Sequence, residues 1–242
     1  REQMISTAIK VAHKQIPIWV NTGTNSTATS IKLSLQAQSL GADGCMWAVP
    51  YYNKPMQAGI IAHYKAIVER VNIPVILYDV PSRTGVSLAM DTIQALYAID
   101  GLVGIKDATG DIARVSQLKQ LCPNWSLLSG DDATASLFVH AGGDGVISVV
   151  ANMMPKQMAN YMTAVQQHDL PQANAYDLAL YPLFEFLKLE TNPIMIKGIL
   201  NHMGKINIGI RLPMTQISSK NKLRIDEVLG TLKRDLMELL VC

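Results

Sequence analysis

Lys106 lies in Gly104-Ile105-Lys106-Asp107-Ala108-Thr109, a lysine set into an apolar run. Val103, Gly104 and Ile105 read as a short buried strand, and Thr109-Gly110 reads as its exit. A lysine at the end of such a strand is unusual, because charged groups are rarely buried without a partner. Desolvation favours the neutral amine, which is a nucleophile toward carbonyl carbons. A strand-end lysine can equally snorkel to water. This segment alone does not choose between the two.

Other residues along the chain can complete a chemical set. Tyr78 stands in Tyr78-Asp79-Val80-Pro81-Ser82-Arg83, and Tyr51-Tyr52 follows Pro50. A lysine can form a Schiff base with a ketone. A nearby tyrosine hydroxyl can shuttle the protons of carbinolamine formation and collapse, and Arg83 can clamp a carboxylate with two hydrogen bonds. Each also has an ordinary reading: Tyr78 as a core aromatic, Tyr51-Tyr52 as loop packing, Arg83 as a surface charge. Asp131-Asp132 could bind a metal, but helix N-capping at Asp131 is the simpler assignment. The five histidines form no HxH or HExxH pair, and no Gly-x-Ser-x-Gly elbow is present, so neither a metal site nor a serine hydrolase is indicated.

The elements that must position these residues repeat in order. Strand-like runs at 16–20, 44–49, 74–80, 102–106, 125–128 and 145–150 alternate with helical stretches at 27–40, from about 55, 90–98, 111–121, before 142–143, and 155–167. In the first of these stretches Ile31, Leu35 and Gln38 share a face. Near-continuously apolar strands in strand–helix units predict a parallel sheet covered by helices. No turn reads GxGxxG or GxxxxGK[ST], which favours a barrel over an open nucleotide-binding sheet. In a barrel the chemistry sits at the carboxyl ends of the strands, where Tyr52, Tyr78, Arg83, Lys106 and Gly130 all fall.

An opening helix with Met4, Ala8, Ile9 and Ala12 at helical spacing precedes the first strand. After Pro171 only helices are expected, at about 171–188, 193–203 and 219–240. Leu178, Leu183, Phe184 and Leu187 form one predicted packing face, and Leu223, Val228, Leu232 and Leu236 another. The expected division is a partial barrel over 1–168 and a helical domain over 169–242.

Composition narrows the function classes. The 242 residues are 49% hydrophobic and 17% charged, which predicts a sizeable core and argues against disorder. A net charge of +2 without a basic run points away from nucleic acid. Cys45, Cys122 and Cys242 have no CxxC spacing and suit a reducing compartment. No apolar run reaches the roughly 18 residues a bilayer crossing needs, and no signal peptide is recognised, so a cytoplasmic protein away from membranes is expected.

Five segments together resemble the dihydrodipicolinate synthase family of pyruvate-dependent class I aldolases. They are Pro50-Tyr51-Tyr52-Asn53-Lys54-Pro55, Tyr78 through Gly85, Gly104 through Gly110, Leu128-Ser129-Gly130-Asp131-Asp132 and Gly145 through Val149. Asn192-Pro193-Ile194 and Arg211-Leu212-Pro213-Met214 are similar to that family as well. The resemblance runs from about residue 16 to 217. It implies a TIM (β/α)8 barrel with a helical extension, in which Lys106 carries pyruvate as a Schiff base with no separate cofactor or metal. It further implies that Tyr78 passes the protons and that Tyr52 is a relay tyrosine placed in a neighbouring subunit's site. The implied assembly is a homotetramer of tight dimers. Arg83 resembles the residue that receives the carboxylate of L-aspartate 4-semialdehyde, and Gly130 and Ile147 match positions lining the pyruvate pocket. The implied product, 4-hydroxy-tetrahydrodipicolinate, leads to diaminopimelate and lysine.

Two departures accompany the match. The family's first two barrel strands, the second ending in Gly-Thr-Thr-Gly-Glu, have no counterpart, so the six strands here correspond to strands 3–8. The chain as written is therefore expected to be either a shortened record of a longer protein or a defective, non-catalytic remnant with little turnover. Asn25 and Tyr51 match the family's lysine-effector site, but Thr29 replaces its usual carboxylate. The alternatives within the superfamily are N-acetylneuraminate lyase and keto-deoxy-sugar-acid aldolases, which share the lysine and tyrosine. The sequence Ser82-Arg83-Thr84-Gly85 favours the synthase, because an arginine suits a carboxylated aldehyde.

Overall fold

The computed structural model describes residues 1–239, which divide into two compact units. The first comprises Arg1–Gly130 with Ala141–Gly145, and the second Asp131–His140 with Val146 onward.

The first unit alternates helices and strands: α1 (Glu2–Ala12), β1 (Trp19–Asn21), α2 (Thr27–Ser39), β2 (Gly44–Ala48), α3 (Gln57–Val68) and β3 (Val75–Asp79). There follow the one-turn α4 (Pro81–Thr84), then α5 (Met90–Tyr97), β4 (Leu102–Asp107), α6 (Ala113–Leu121) and β5 (Ser126–Ser129). With β6 (Gly145–Val146) the strands form one six-stranded sheet in sequential order. The pairings from β1 to β5 are all parallel, giving the α/β half-barrel sheet expected of strand–helix repeats.

Alternation along the strands separates two faces. Cys45, Trp47, Val75, Leu77, Ile105 and Leu127, at most 1% exposed, share the face turned to the helices. Trp47 stacks on Tyr64 of α3, and its indole N–H donates to Ser34 Oγ of α2 and to Thr22 Oγ1, each at 3.0 Å. This explains a departure from the expected helix face. The buried stripe of α2 is Ser30, Ser34 and Ala37, one position away from Ile31, Leu35 and Gln38. Small side chains there let the helix approach the indole and satisfy its donor. In α1 the expected Ala8, Ile9 and Ala12 are half-buried beside the buried Ile5, and only Met4, 71% exposed, falls off that face.

The second unit is helical: α7 (Ala135–His140), α8 (Pro155–Gln166), α9 (Leu170–Leu187), α10 (Ile194–His202), α11 (Ser219–Lys222) and α12 (Ile225–Leu239). Tyr161, Leu180, Leu183, Phe184, Ile199 and Leu232 are among the residues of its core. Two expected packing positions fall outside it: Leu178 and Leu223 are exposed. The helix expected over 219–240 is broken between α11 and α12, which leaves Leu223 in the connection rather than on a helix face. Its final residues lie outside the described part. The strand expected over 145–150 stops at Val146, because the chain turns into a 3-10 segment at Val150–Asn152. Asp132 Oδ2 accepts the Val149 and Val150 amides at 2.9 and 3.1 Å and so fixes that turn. No helix among the described residues is long and apolar enough to cross a membrane.

Candidate active site

Register brings the two central residues together. Tyr78 on β3 and Lys106 on β4 are Cα partners across a parallel ladder, so both side chains leave the same face. Lys106 is buried, and its Nζ lies over the Tyr78 ring, 4.3 Å from the centroid. The lysine therefore ends against an aromatic face rather than snorkelling to water, which removes the first ordinary reading of Lys106. Tyr78 is half-buried. Burial pushes its phenol up from the ordinary range, and the nearby Arg83 charge draws it partly back. A phenol held protonated can donate a proton to a departing hydroxyl and take one back.

Arg83 sits in α4, a single turn whose ends are fixed by sequence. Pro81 opens it, Gly85 closes it with φ +75°, and Thr84 Oγ1 donates to the Val86 carbonyl at 2.7 Å. A side chain at Gly85 would also come within 2.6 Å of Lys54 Cε. Arg83 is exposed at the sheet's rim, within electrostatic reach of Tyr78.

Gly130 follows β5, and its amide donates to the Asp107 carbonyl at 2.7 Å, extending the ladder past the lysine. A methyl group there would lie 2.6 Å from Ala108 Cβ and 3.1 Å from Lys106 Cε. The approach to Ala108 forces a shift, and the lysine stem beside it is crowded as well. Gly130→Ala is expected to lower kcat/KM about 10- to 100-fold by displacing the amine, with a stability loss of about 1–3 kcal/mol from overpacking. Steady-state kinetics with a thermal melt on the same preparation checks both.

The remaining sequence candidates are spread more widely. Tyr52 is 89% exposed with φ +72°, a left-handed conformation uncommon for a non-glycine residue. Tyr51 beside it is exposed, and Asn53 donates to the Asn25 carbonyl at 3.0 Å. Ile147 follows β6 directly and is exposed. Asp131 accepts a hydrogen bond from the Thr134 hydroxyl, while the buried Asp132 takes the backbone amides described above. Among the described residues no group of three or more His, Cys, Asp or Glu is arranged to hold a metal ion.

Sequence reasoning missed a buried network on the sheet's other face. Asp79 and Asp107, each one residue beyond Tyr78 and Lys106, are Cα partners and point toward the helices. Arg114 of α6 donates to Asp79 Oδ2 at 2.9 Å and lies 3.5 Å from Asp107 Oδ2. It also donates to the Leu88 carbonyl at 2.8 Å, while Ser87 Oγ and the Leu88 amide donate to Asp79. The signal was present in the Tyr-Asp and Lys-Asp pairs. An acid next to a strand's inward residue must face the helix layer, where it needs a cation or donors.

A parallel α/β sheet carrying a buried lysine against a tyrosine at its strand ends, with an arginine at the rim, is arranged for amine–carbonyl chemistry. That defines the class as an aldolase-type lyase. Residues 1–232 match the dihydrodipicolinate synthetase family. The chain is 47% identical over 219 residues to 4-hydroxy-tetrahydrodipicolinate synthase of Nitrosomonas eutropha, covering 90% of this chain and 75% of that protein. It is 43% identical over 228 residues to the synthase of Thermodesulfovibrio yellowstonii, covering 94% and 78%. Among solved structures, a dihydrodipicolinate synthase from Acinetobacter baumannii complexed with pyruvate superposes with TM-score 0.93 at 43% identity, covering 96% of this chain and 80% of that one. The enzyme of Methylacidiphilum fumariolicum gives 0.95 at 35% identity, covering 98% and 80%. The chain belongs to the dihydrodipicolinate synthetase family.

Proposed function

We propose that Lys106 is the amine on which this chain condenses pyruvate with L-aspartate 4-semialdehyde. The reaction is that of a 4-hydroxy-tetrahydrodipicolinate synthase, a lyase of lysine and diaminopimelate biosynthesis, as in the relatives matched over 90% or more of the chain. The observation that carries the residue assignment is the Lys106 amine held over Tyr78, with Gly130 leaving space beside the lysine stem.

In this reading Lys106 Nζ attacks the ketone carbon of pyruvate. Tyr78 delivers a proton to the carbinolamine oxygen, so that water leaves and an iminium forms. Loss of a methyl proton gives an enamine, whose carbon attacks the aldehyde of the second substrate. The substrate's own amine then attacks the iminium carbon and releases Lys106 as the ring closes. Atoms balance: one water is lost in forming the Schiff base, and the enzyme returns as the free amine. Arg83 receives the semialdehyde carboxylate, and Gly130 lines the pyruvate pocket.

The six strands are taken as strands 3–8 of a TIM barrel, with a partial barrel over 1–168 and a helical domain over 169–242. Tyr52 is assigned as the relay tyrosine offered to a second copy within a tight dimer of a homotetramer. Its exposure and left-handed backbone support that role, since strain of this kind persists where a side chain must be held in one direction. Asn25 and Tyr51 are assigned to a lysine-effector site, weakened by Thr29. A cytoplasmic location and the absence of a metal or dissociable cofactor belong to the same reading.

The synthase relatives do not favour the sugar-acid lyases. The test is a comparison of second substrates. With pyruvate present, L-aspartate 4-semialdehyde is expected to be consumed at least about 100-fold more efficiently than N-acetylmannosamine, since the rim guanidinium of Arg83 attracts a carboxylate and the uncharged sugar aldehyde offers it none. Preference for N-acetylmannosamine would overturn the substrate assignment.

A further inference from the structure

The ladder between β3 and β4 is not continuous. Val75 pairs with Leu102, yet Ile76 pairs with Gly104, so Val103 is an extra residue on β4. Only after this step does Tyr78 stand opposite Lys106. With an unbroken ladder Tyr78 would face Ile105, and Lys106 would pair with Asp79. A one-residue slip exchanges the two faces of a strand, so the step decides whether the tyrosine and the lysine share a face at all. Such bulges re-aim side chains, and are uncommon in parallel pairs.

At the far end of the same two strands lies the arginine network. Asp79 and Asp107 are paired in the shifted register, and Arg114 Nη1 spans both, at 2.9 Å from one carboxylate and 3.5 Å from the other. Asp79 is fully buried, and Arg114 and Asp107 are 8% and 5% exposed. Buried ion pairs of this kind add little net stability over apolar residues of similar volume, and their best-attested use is fixing register.

We propose that Arg114 is a positioning residue for the condensation: by bridging Asp79 and Asp107 from the helix side, it locks the shifted register that sets Tyr78 beside Lys106. The proposal rests on the assignment of Lys106 and Tyr78 as the reacting pair. Arg114 bonds Asp79, Asp107 and the Leu88 carbonyl and acts through the strand ends. The fork geometry matters here, because one planar guanidinium meets two carboxylates and the Leu88 carbonyl together, which a single ammonium does not reproduce.

The test uses borohydride trapping of the pyruvate adduct, read by intact-mass and peptide mass spectrometry over time, in the wild-type chain and in Arg114→Lys, Tyr78→Phe and the double variant. Wild type must first form its adduct on Lys106. An adduct elsewhere, or none, overturns the site assignment and the positioning proposal with it. Given that adduct, Arg114→Lys is expected to slow trapping at saturating pyruvate about tenfold while half-saturation moves less than about threefold. In the Tyr78→Phe background the same change is expected to cost less than about twofold, because the separation it disturbs no longer matters. Wild-type rates in Arg114→Lys, or a tenfold loss that persists undiminished in the double variant, would overturn the proposal while leaving the site assignment standing. If Arg114→Lys does not fold, Asp107→Asn, which weakens the second arm and keeps one oxygen to accept from Thr109, takes its place in the same cycle. A loss of about threefold confined to the Tyr78 background is then expected, and wild-type rates would overturn the proposal.

Discussion

Lys106→Met is expected to remove at least about three orders of magnitude from turnover and to abolish adduct formation with pyruvate, because the covalent step is assigned to its amine. Methionine matches the length of the buried stem and contacts the Tyr78 ring without a charge, so the fold is expected to survive. Loss of the nucleophile therefore separates from loss of structure. The check is turnover beside circular dichroism and a thermal melt. A folded variant retaining more than a few per cent of activity would mean that another amine carries the chemistry.

Tyr78→Phe is expected to lower kcat by about 100- to 1000-fold with little change in the half-saturation for pyruvate. The ring that packs against Lys106 is kept, and only the hydroxyl is lost. Burial raises the pKa of this phenol and Arg83 pulls it down by less. The sign follows from the charge: the neutral, proton-donating form persists to higher pH than for an exposed tyrosine. Activity depending on that form is retained through neutral pH and falls only as the raised pKa is approached. In the phenylalanine variant that alkaline limb is expected to disappear from the pH profile of the residual activity. A stopped-flow or coupled assay from neutral to alkaline pH checks both effects. Unchanged kcat would assign the proton transfers elsewhere.

Much of this arrangement was legible in the sequence. The strand–helix repeat, the position of Lys106 at a strand end and the Pro81–Gly85 turn follow from local rules, because apolar runs, Pro at a helix start and Gly at its end act over a few residues. Faces were harder. In α2 the apolar Ile31 and Leu35 suggest the buried side, yet Ser30 and Ser34 occupy it, because Trp47 brings a donor that only a hydroxyl at close approach can satisfy. Leu178 and Leu223 show the same limit: periodicity marks a possible face, and tertiary contacts decide which one is used. The short β6 was hidden because Asp132, far from it in sequence, takes the amides that would have extended a ladder.

The site divides along the same line. Tyr78 and Lys106 were identifiable by type, but their pairing depends on the extra residue at Val103, a feature no local pattern announces. Arg114 was invisible for a related reason. It stands 35 residues from Asp79, and its role exists only once β3, β4 and α6 are packed together.

The most direct measurement is incubation of the chain with pyruvate and borohydride, followed by peptide mass analysis. The account predicts a single adduct equal to one pyruvate less a water plus two hydrogens, carried on the peptide containing Lys106. No adduct in folded protein, or an adduct confined to any other lysine, would contradict it.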